Sequence, residues 1–115
     1  MLRGDVIWAD LEPVRGSEAD KRRPVVIVSN DGANAMATRL GRGLVAAVPV
    51  TSSIRRIQPF QVLLTATDTG LRVTSKAQAE QVRAIAVERL GDHIGSLPPD
   101  VMAELDEALR LHLGL

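Results

Sequence analysis

Apolar positions along this chain fall in short blocks with two different periods. Asp5-Val6-Ile7-Trp8-Ala9-Asp10-Leu11 is rich in β-branched and aromatic residues and stops before Pro13, which predicts a first strand. Pro24-Val25-Val26-Ile27-Val28 is a continuous apolar run, consistent with a buried strand. Asn30-Asp31-Gly32 signals a turn, and Ala33 to Leu40 has room for one or two helical turns. Leu44 to Val50 predicts a third strand, whose far end Pro49 confines to an edge or a bulge. Phe60 to Leu64 predicts a fourth, followed by a Thr-rich turn at Thr65 to Gly70. Ala77 to Ile85 alternates and predicts another strand, with a face change at Gln81-Val82 that suggests a bulge. A further turn is expected at Gly95. After Pro98-Pro99 the period changes: Val101, Met102, Leu105, Ala108, Leu109 and Leu113 have the spacing of an amphipathic helix. Strands in succession closed by one helix predict an α+β domain with a small, mostly antiparallel sheet or barrel.

Composition narrows this further. The 115 residues suit one domain spanning 1–115, and 45% hydrophobic with 24% charged residues suits a compact globule. Fourteen basic residues balance fourteen acidic ones, which argues against a strong overall positive field but leaves a local basic patch open. Residues 1–60 carry nine Lys/Arg against six Asp/Glu, whereas residues 92–115 carry one against five. An anion site is therefore expected in the first half. The absence of cysteine excludes disulfides, thiolate catalysis and Cys-based zinc sites. His93 and His112 are the only imidazoles, too few for a metal cage, and both are expected to be structural or surface residues. The longest apolar run, Leu44 to Val50, is too short to span a membrane, and no apolar signal core stands at the N-terminus. These features point to a soluble, cytoplasmic protein without metal or cofactor.

Residues 12–23 form a long polar stretch, and long loops in small domains often carry function. It ends in Lys21-Arg22-Arg23, the only run of three cations in the chain. Pro24 fixes the local backbone, so Arg23 is held at the mouth of a strand, where a guanidinium fork suits bidentate phosphate recognition. The same charges can equally act as gatekeepers beside an aggregation-prone strand. Thr51-Ser52-Ser53 follows the third strand directly; its hydroxyls can donate to a phosphate oxygen or cap a turn. Arg55-Arg56 adds a second cationic element, and Trp8 and Phe60 are assigned to core packing.

Taken together, these segments resemble the MazF/PemK family of toxin endoribonucleases. The matching pieces include Arg3-Gly4-Asp5-Val6-Ile7-Trp8, Gly16-Ser17-Glu18 with Arg23-Pro24, Val48-Pro49-Val50-Thr51-Ser52, Pro59-Phe60-Gln61-Val62 and Glu80-Gln81-Val82-Arg83. Their order extends over nearly the whole chain. The resemblance implies an SH3-like antiparallel barrel with a C-terminal helix, assembled as a homodimer. It implies metal-independent cutting of single-stranded RNA at short motifs, leaving a 2′,3′-cyclic phosphate and a 5′-hydroxyl. It implies regulation by a cognate antitoxin whose flexible acidic tail occupies the RNA groove. The family's catalytic Arg and Thr match Arg23 and Thr51, while Glu18 and Gln81 match positions that contact RNA or support the site. Glu18 is the ionisable candidate for the general base. Ser17, Lys21, Arg22, Ser52, Arg55 and Arg56 complete the expected substrate contacts of the first half.

One stretch departs from the family pattern. Thr74-Ser75-Lys76-Ala77-Gln78-Ala79 puts Lys76 and Gln78 on one strand face, where they either read bases beside the cleavage site or make a more polar sheet surface. Two rival functions share the fold. A gyrase-poisoning toxin would end in Trp-Gly-Ile, whereas this chain ends Leu113-Gly114-Leu115. A non-catalytic RNA- or protein-binding module would bind without cutting.

Overall fold

The computed structural model describes residues 1–11 and 22–115. Its elements run β1 (Asp5–Asp10), β2 (Arg22–Ile27), α1 (Asp31–Leu40), β3 (Leu44–Thr51), β4 (Gln61–Leu64), α2 (Ala66–Thr69), β5 (Ser75–Gln78), β6 (Arg83–Ala86), β7 (Leu90–Ser96) and α3 (Pro99–Leu113). Short 3-10 turns at Ala79–Gln81 and Val87–Arg89 link β5 to β6 and β6 to β7. The strands form one seven-stranded antiparallel sheet in the order β4-β5-β3-β2-β1-β7, with β6 also on β3. The α+β architecture with a closing helix is the expected one. The sheet is open, because among the described residues β4 pairs only with β5 and β7 only with β1.

The central strands are apolar on both sides because each face meets its own core. Val6, Val26, Val48 and Val50 pack with Leu64, Leu105 and Leu109 beneath α3. The alternate residues Ile7, Val25, Ile27 and Ala47 pack with Ala37 of α1 and Ile85 of β6. That two-sided burial explains the unbroken run in β2. Fully burying a Leu or Val side chain contributes roughly 1.5–3 kcal/mol, so these clusters hold the sheet together.

Strand β3 is central, which corrects the expectation that Pro49 sits at an edge or bulge. One side of β3 pairs with β2 through Val25↔Pro49, Val26↔Val48 and Ile27↔Ala47. The other side changes partner, pairing residues 44–47 with β6 and residues 50–51 with β5. Pro49 falls in the gap between those partners, where a missing N–H interrupts no ladder. The expected single strand over 77–85 is likewise two strands, broken by the 3-10 turn Ala79–Gln81 immediately before Val82.

Two further differences bear on the site. The Thr-rich turn is a short helix, α2, ended by Gly70 at φ 83°. The expected turn at Gly95 is instead part of β7, which pairs with β1 through Ile7↔His93 and Val6↔Gly95. Helix α1 is longer than one or two turns, capped by the Asn30 side chain, which accepts from the Ala33 N–H at 2.8 Å. Helix α3 begins at Pro99, a position where the missing N–H costs nothing, and buries Leu105, Ala108 and Leu109. Arg3 ties the N-terminus to this helix: its Nη2 lies 2.8 Å from Asp106 Oδ1 while its Nε donates to the Val28 carbonyl. No helix among the described residues is long and apolar enough to cross a membrane.

Candidate active site

The β2–β3 register sets the site. Carried two residues beyond Val25↔Pro49, it brings Arg23 level with Thr51 at the ends of the two strands. On the other side of Arg23 stands Ala9, and on the other side of Thr51 stands Lys76. Arg22, one residue earlier in β2, turns to the opposite face, where its guanidinium carbon lies 5.2 Å from the centre of the Trp8 ring. Such a contact is worth roughly 0.5–1 kcal/mol at an exposed site and holds the fork above the sheet.

These strand ends border a cleft of about 620 Å³. Arg22, Arg23, Thr51 and Ser52 line it from the first half of the chain, and Arg72 and His93 from the second. Trp8, Pro24, Val50 and Leu71 supply apolar walls. Three arginines thus border the cleft, Arg22 and Arg23 from opposite faces of β2, with no carboxylate among its described lining residues. Its arginines come from both halves of the chain, Arg22 and Arg23 from the first, where an anion site was expected, and Arg72 from the second.

Thr51 is oriented by the chain that follows it. Its Oγ1 accepts the Ser53 N–H at 3.2 Å, which leaves the hydroxyl hydrogen to donate to another acceptor. His93 lies on β7, with Nε2 3.5 Å from Asp5 Oδ1 and its side chain 57% exposed.

Arg22, Arg23, Thr51 and Ser52 converge on the cleft. Arg55 and Arg56 are exposed in the segment after β3 and do not line it. Lys76 stands beside Thr51 in the ladder, yet its ammonium donates to the Arg56 carbonyl at 2.7 Å. Gln78 pairs in register with Gln61 outside the cleft, and Gln81 is exposed on the 3-10 turn. Ser17, Glu18 and Lys21 lie outside the described residues. Trp8 is half-buried on the cleft wall and absent from both core clusters, which corrects its assignment to the core. Phe60 is likewise half-buried and absent from both core clusters, which corrects its core assignment too; its ring lies 6.4 Å from that of His112.

Arg72 and His93 are the lining residues that sequence reasoning missed. Arg72 arrives through the left-handed turn at Gly70, and His93 through a strand interrupted by Gly91 and Gly95. Isolated glycines read as turn signals, so neither residue advertises its position.

The chain is similar to known proteins over nearly its whole length. Residues 2–113 match the family described as PemK-like, MazF-like toxins of type II toxin–antitoxin systems. The chain is 61% identical over 115 residues to endoribonuclease MazF9 of Mycobacterium tuberculosis, covering 100% of this chain and 98% of that one. It is 39% identical over 114 residues to endoribonuclease EndoA of Bacillus subtilis, covering 98% and 94%. Among solved structures, a mycobacterial endoribonuclease in complex with its cognate antitoxin superposes with a TM-score of 0.78 at 31% identity, over 100% of this chain and 96% of that one. MazF of Deinococcus radiodurans gives 0.77 at 30% identity, over 100% and 97%. With nearly every residue matched and the fold shared, the chain belongs to the PemK-like, MazF-like toxins of type II toxin–antitoxin systems.

Proposed function

We propose that the chain, an endoribonuclease of this family, cuts single-stranded RNA at short sequence motifs by attack of a ribose 2′-hydroxyl on the adjacent phosphorus. The observation that carries this reading is the meeting of Arg23 and Thr51 in a cleft with three arginines and no described carboxylate. The bond from O2′ to phosphorus forms as the bond from phosphorus to O5′ breaks, leaving a 2′,3′-cyclic phosphate and a 5′-hydroxyl. Nucleophile and electrophile belong to one molecule, so positioning supplies much of the acceleration and no metal hydroxide is required.

Negative charge gathers on the non-bridging oxygens in the transition state. Arg23 stabilises it with a bidentate fork, and Thr51 donates the hydroxyl hydrogen that its contact with Ser53 leaves available. Glu18 takes the proton from the 2′-hydroxyl, and Arg23 assists protonation of the departing O5′. Arg22, Ser52 and Arg72 contact flanking phosphates or sugars.

The toxin works in the cytoplasm as a homodimer. Exposed Ile57, Leu63 and Leu111 near the free edge of β4 offer the apolar surface that a subunit contact covers. A cognate antitoxin inhibits it by laying an acidic tail in the cationic cleft. The arginine cluster suits that partner, and a related endoribonuclease has been solved with its antitoxin.

The test incubates purified protein with mixed-sequence RNA in excess chelator, beside Arg23→Ala and Thr51→Ala proteins, and maps the fragment ends chemically. Cleavage with cyclic-phosphate ends that both substitutions abolish is the expected result. Binding without scission by folded, antitoxin-free protein would overturn it in favour of a binding module.

A further inference from the structure

Lys76 occupies a position the cleavage chemistry does not explain. In the sheet, Thr51 pairs directly with Lys76, so their side chains share a face. Arg23 is level with both, which makes a row of three polar side chains across β2, β3 and β5. The Lys76 ammonium does not end in solvent. It donates at 2.7 Å to the carbonyl of Arg56, five residues beyond Thr51.

The segment receiving that bond, residues 52–60, has no helix or strand of its own. Its first residues are held by the Ser53 N–H on Thr51 Oγ1. Its far end is held where Gln58 donates to Gln61 Oε1, while Gln61 Nε2 donates to Glu80 Oε2. Between these anchors, the bond from Lys76 is the only hydrogen bond among the described residues that ties residues 54–57 to the sheet. Those four residues are otherwise exposed, and they include Arg55 and Arg56.

We infer that Lys76 is a positioning residue whose ammonium holds residues 54–57 against the sheet and so fixes how the chain leaves Thr51. The functional half of the inference rests on the assignment of Arg23 and Thr51 to catalysis; the structural half does not. Lys76 thus aims Ser52, Arg55 and Arg56 at the substrate by way of the backbone, and it differs in this from a residue that reads bases itself. An exposed carbonyl has water as an alternative partner, so losing the tether loosens the segment and leaves the sheet intact.

The experiment compares the full-length protein with Lys76→Met, of similar reach but no donor, and Lys76→Arg, which keeps one. Lys76→Gln, whose amide donor is too short to reach the Arg56 carbonyl, is the second tether-breaking variant should Met impair folding. Limited trypsin digestion of the native proteins, mapped by mass spectrometry, reads the exposure of the bonds after Arg55 and Arg56. RNA of one fixed motif gives KM and kcat separately, and sequencing of cut RNA gives the motif.

Losing the tether should speed trypsin cleavage at those two bonds about tenfold, the scale of one lost hydrogen bond. KM should rise with a smaller loss of kcat and an unchanged motif, and Lys76→Arg should restore both protection and KM. Native-like protection in Lys76→Met and Lys76→Gln overturns the inference. A shifted motif with protection intact also overturns it, and assigns Lys76 to base reading instead. If Arg23→Ala and Thr51→Ala remain active, the catalytic assignment fails while the digestion pattern still scores the tether.

Discussion

Gly95 and Thr69 approach so closely that a Cβ on residue 95 would stand 2.1 Å from the Thr69 carbonyl oxygen. The same contact is tight from the other side, since a Cβ on Gly70 would lie 2.6 Å from the Ile94 carbonyl oxygen. Two glycines therefore let α2 seat its C-terminal end on β7, and the chain leaving that seat carries Leu71 and Arg72 into the cleft.

Gly95→Ala should accordingly act on stability and on the site together. The added methyl meets backbone, which cannot swing aside as a side chain can, and overpacking of this kind costs about 1–3 kcal/mol. Urea unfolding should report that loss. RNA cleavage assayed well below the unfolding midpoint should show a raised KM, because Arg72 moves with the displaced turn.

Arg23 and Thr51 should respond differently to conservative replacement. Arg23→Ala should lower the single-turnover cleavage rate by about 10²- to 10³-fold, the usual loss for one donor to a developing oxyanion. Arg23→Lys should recover little, since an ammonium is a point charge without a fork. Thr51→Ser keeps the hydroxyl and should retain most of the rate that Thr51→Ala loses. Rapid-quench measurement with saturating enzyme separates these effects from binding.

Arg72 should reveal itself through salt. Affinity of a single strand falls with log salt at a slope of about −0.7 per phosphate contacted, and three arginines in one cleft predict a steep slope despite the neutral chain. Arg72→Gln should flatten that slope by about one contact, whereas Arg110→Gln on α3 should leave it unchanged. Fluorescence anisotropy with uncleavable RNA at several salt concentrations decides between them.

Much of the fold was legible because its signals are local. The apolar run of β2, the helical period of α3 and the face change before Val82 all correspond to elements or breaks in the chain. Long-range relationships were not legible. Pro49 reads as an edge residue because its composition says nothing about β3 exchanging β6 for β5 at that point. Strand β7 was hidden because Gly95 serves a close approach to Thr69, and an isolated glycine looks the same whether it bends the chain or admits a neighbour. Trp8 looked like core because aromatic residues usually are; only the fold sets Arg22 over its ring. For the candidate site, the resemblance drew attention to Arg23 and Thr51, but their common cleft follows from strand register, and Arg72 and His93 come from elements distant in sequence.

Helix α3 presents Asp100, Glu104 and Glu107 along a groove that shares no residue with the arginine-lined cleft. Among the described residues these opposite charges thus gather on separate surfaces. In the field of an approaching polyanion a dipole feels torque even when its net charge is zero. If the cleft takes RNA as proposed, this separation should favour a cleft-first approach and make a larger fraction of collisions productive. Shuffling the acidic residues of α3 onto the cleft side would keep the isoelectric point and slow the encounter.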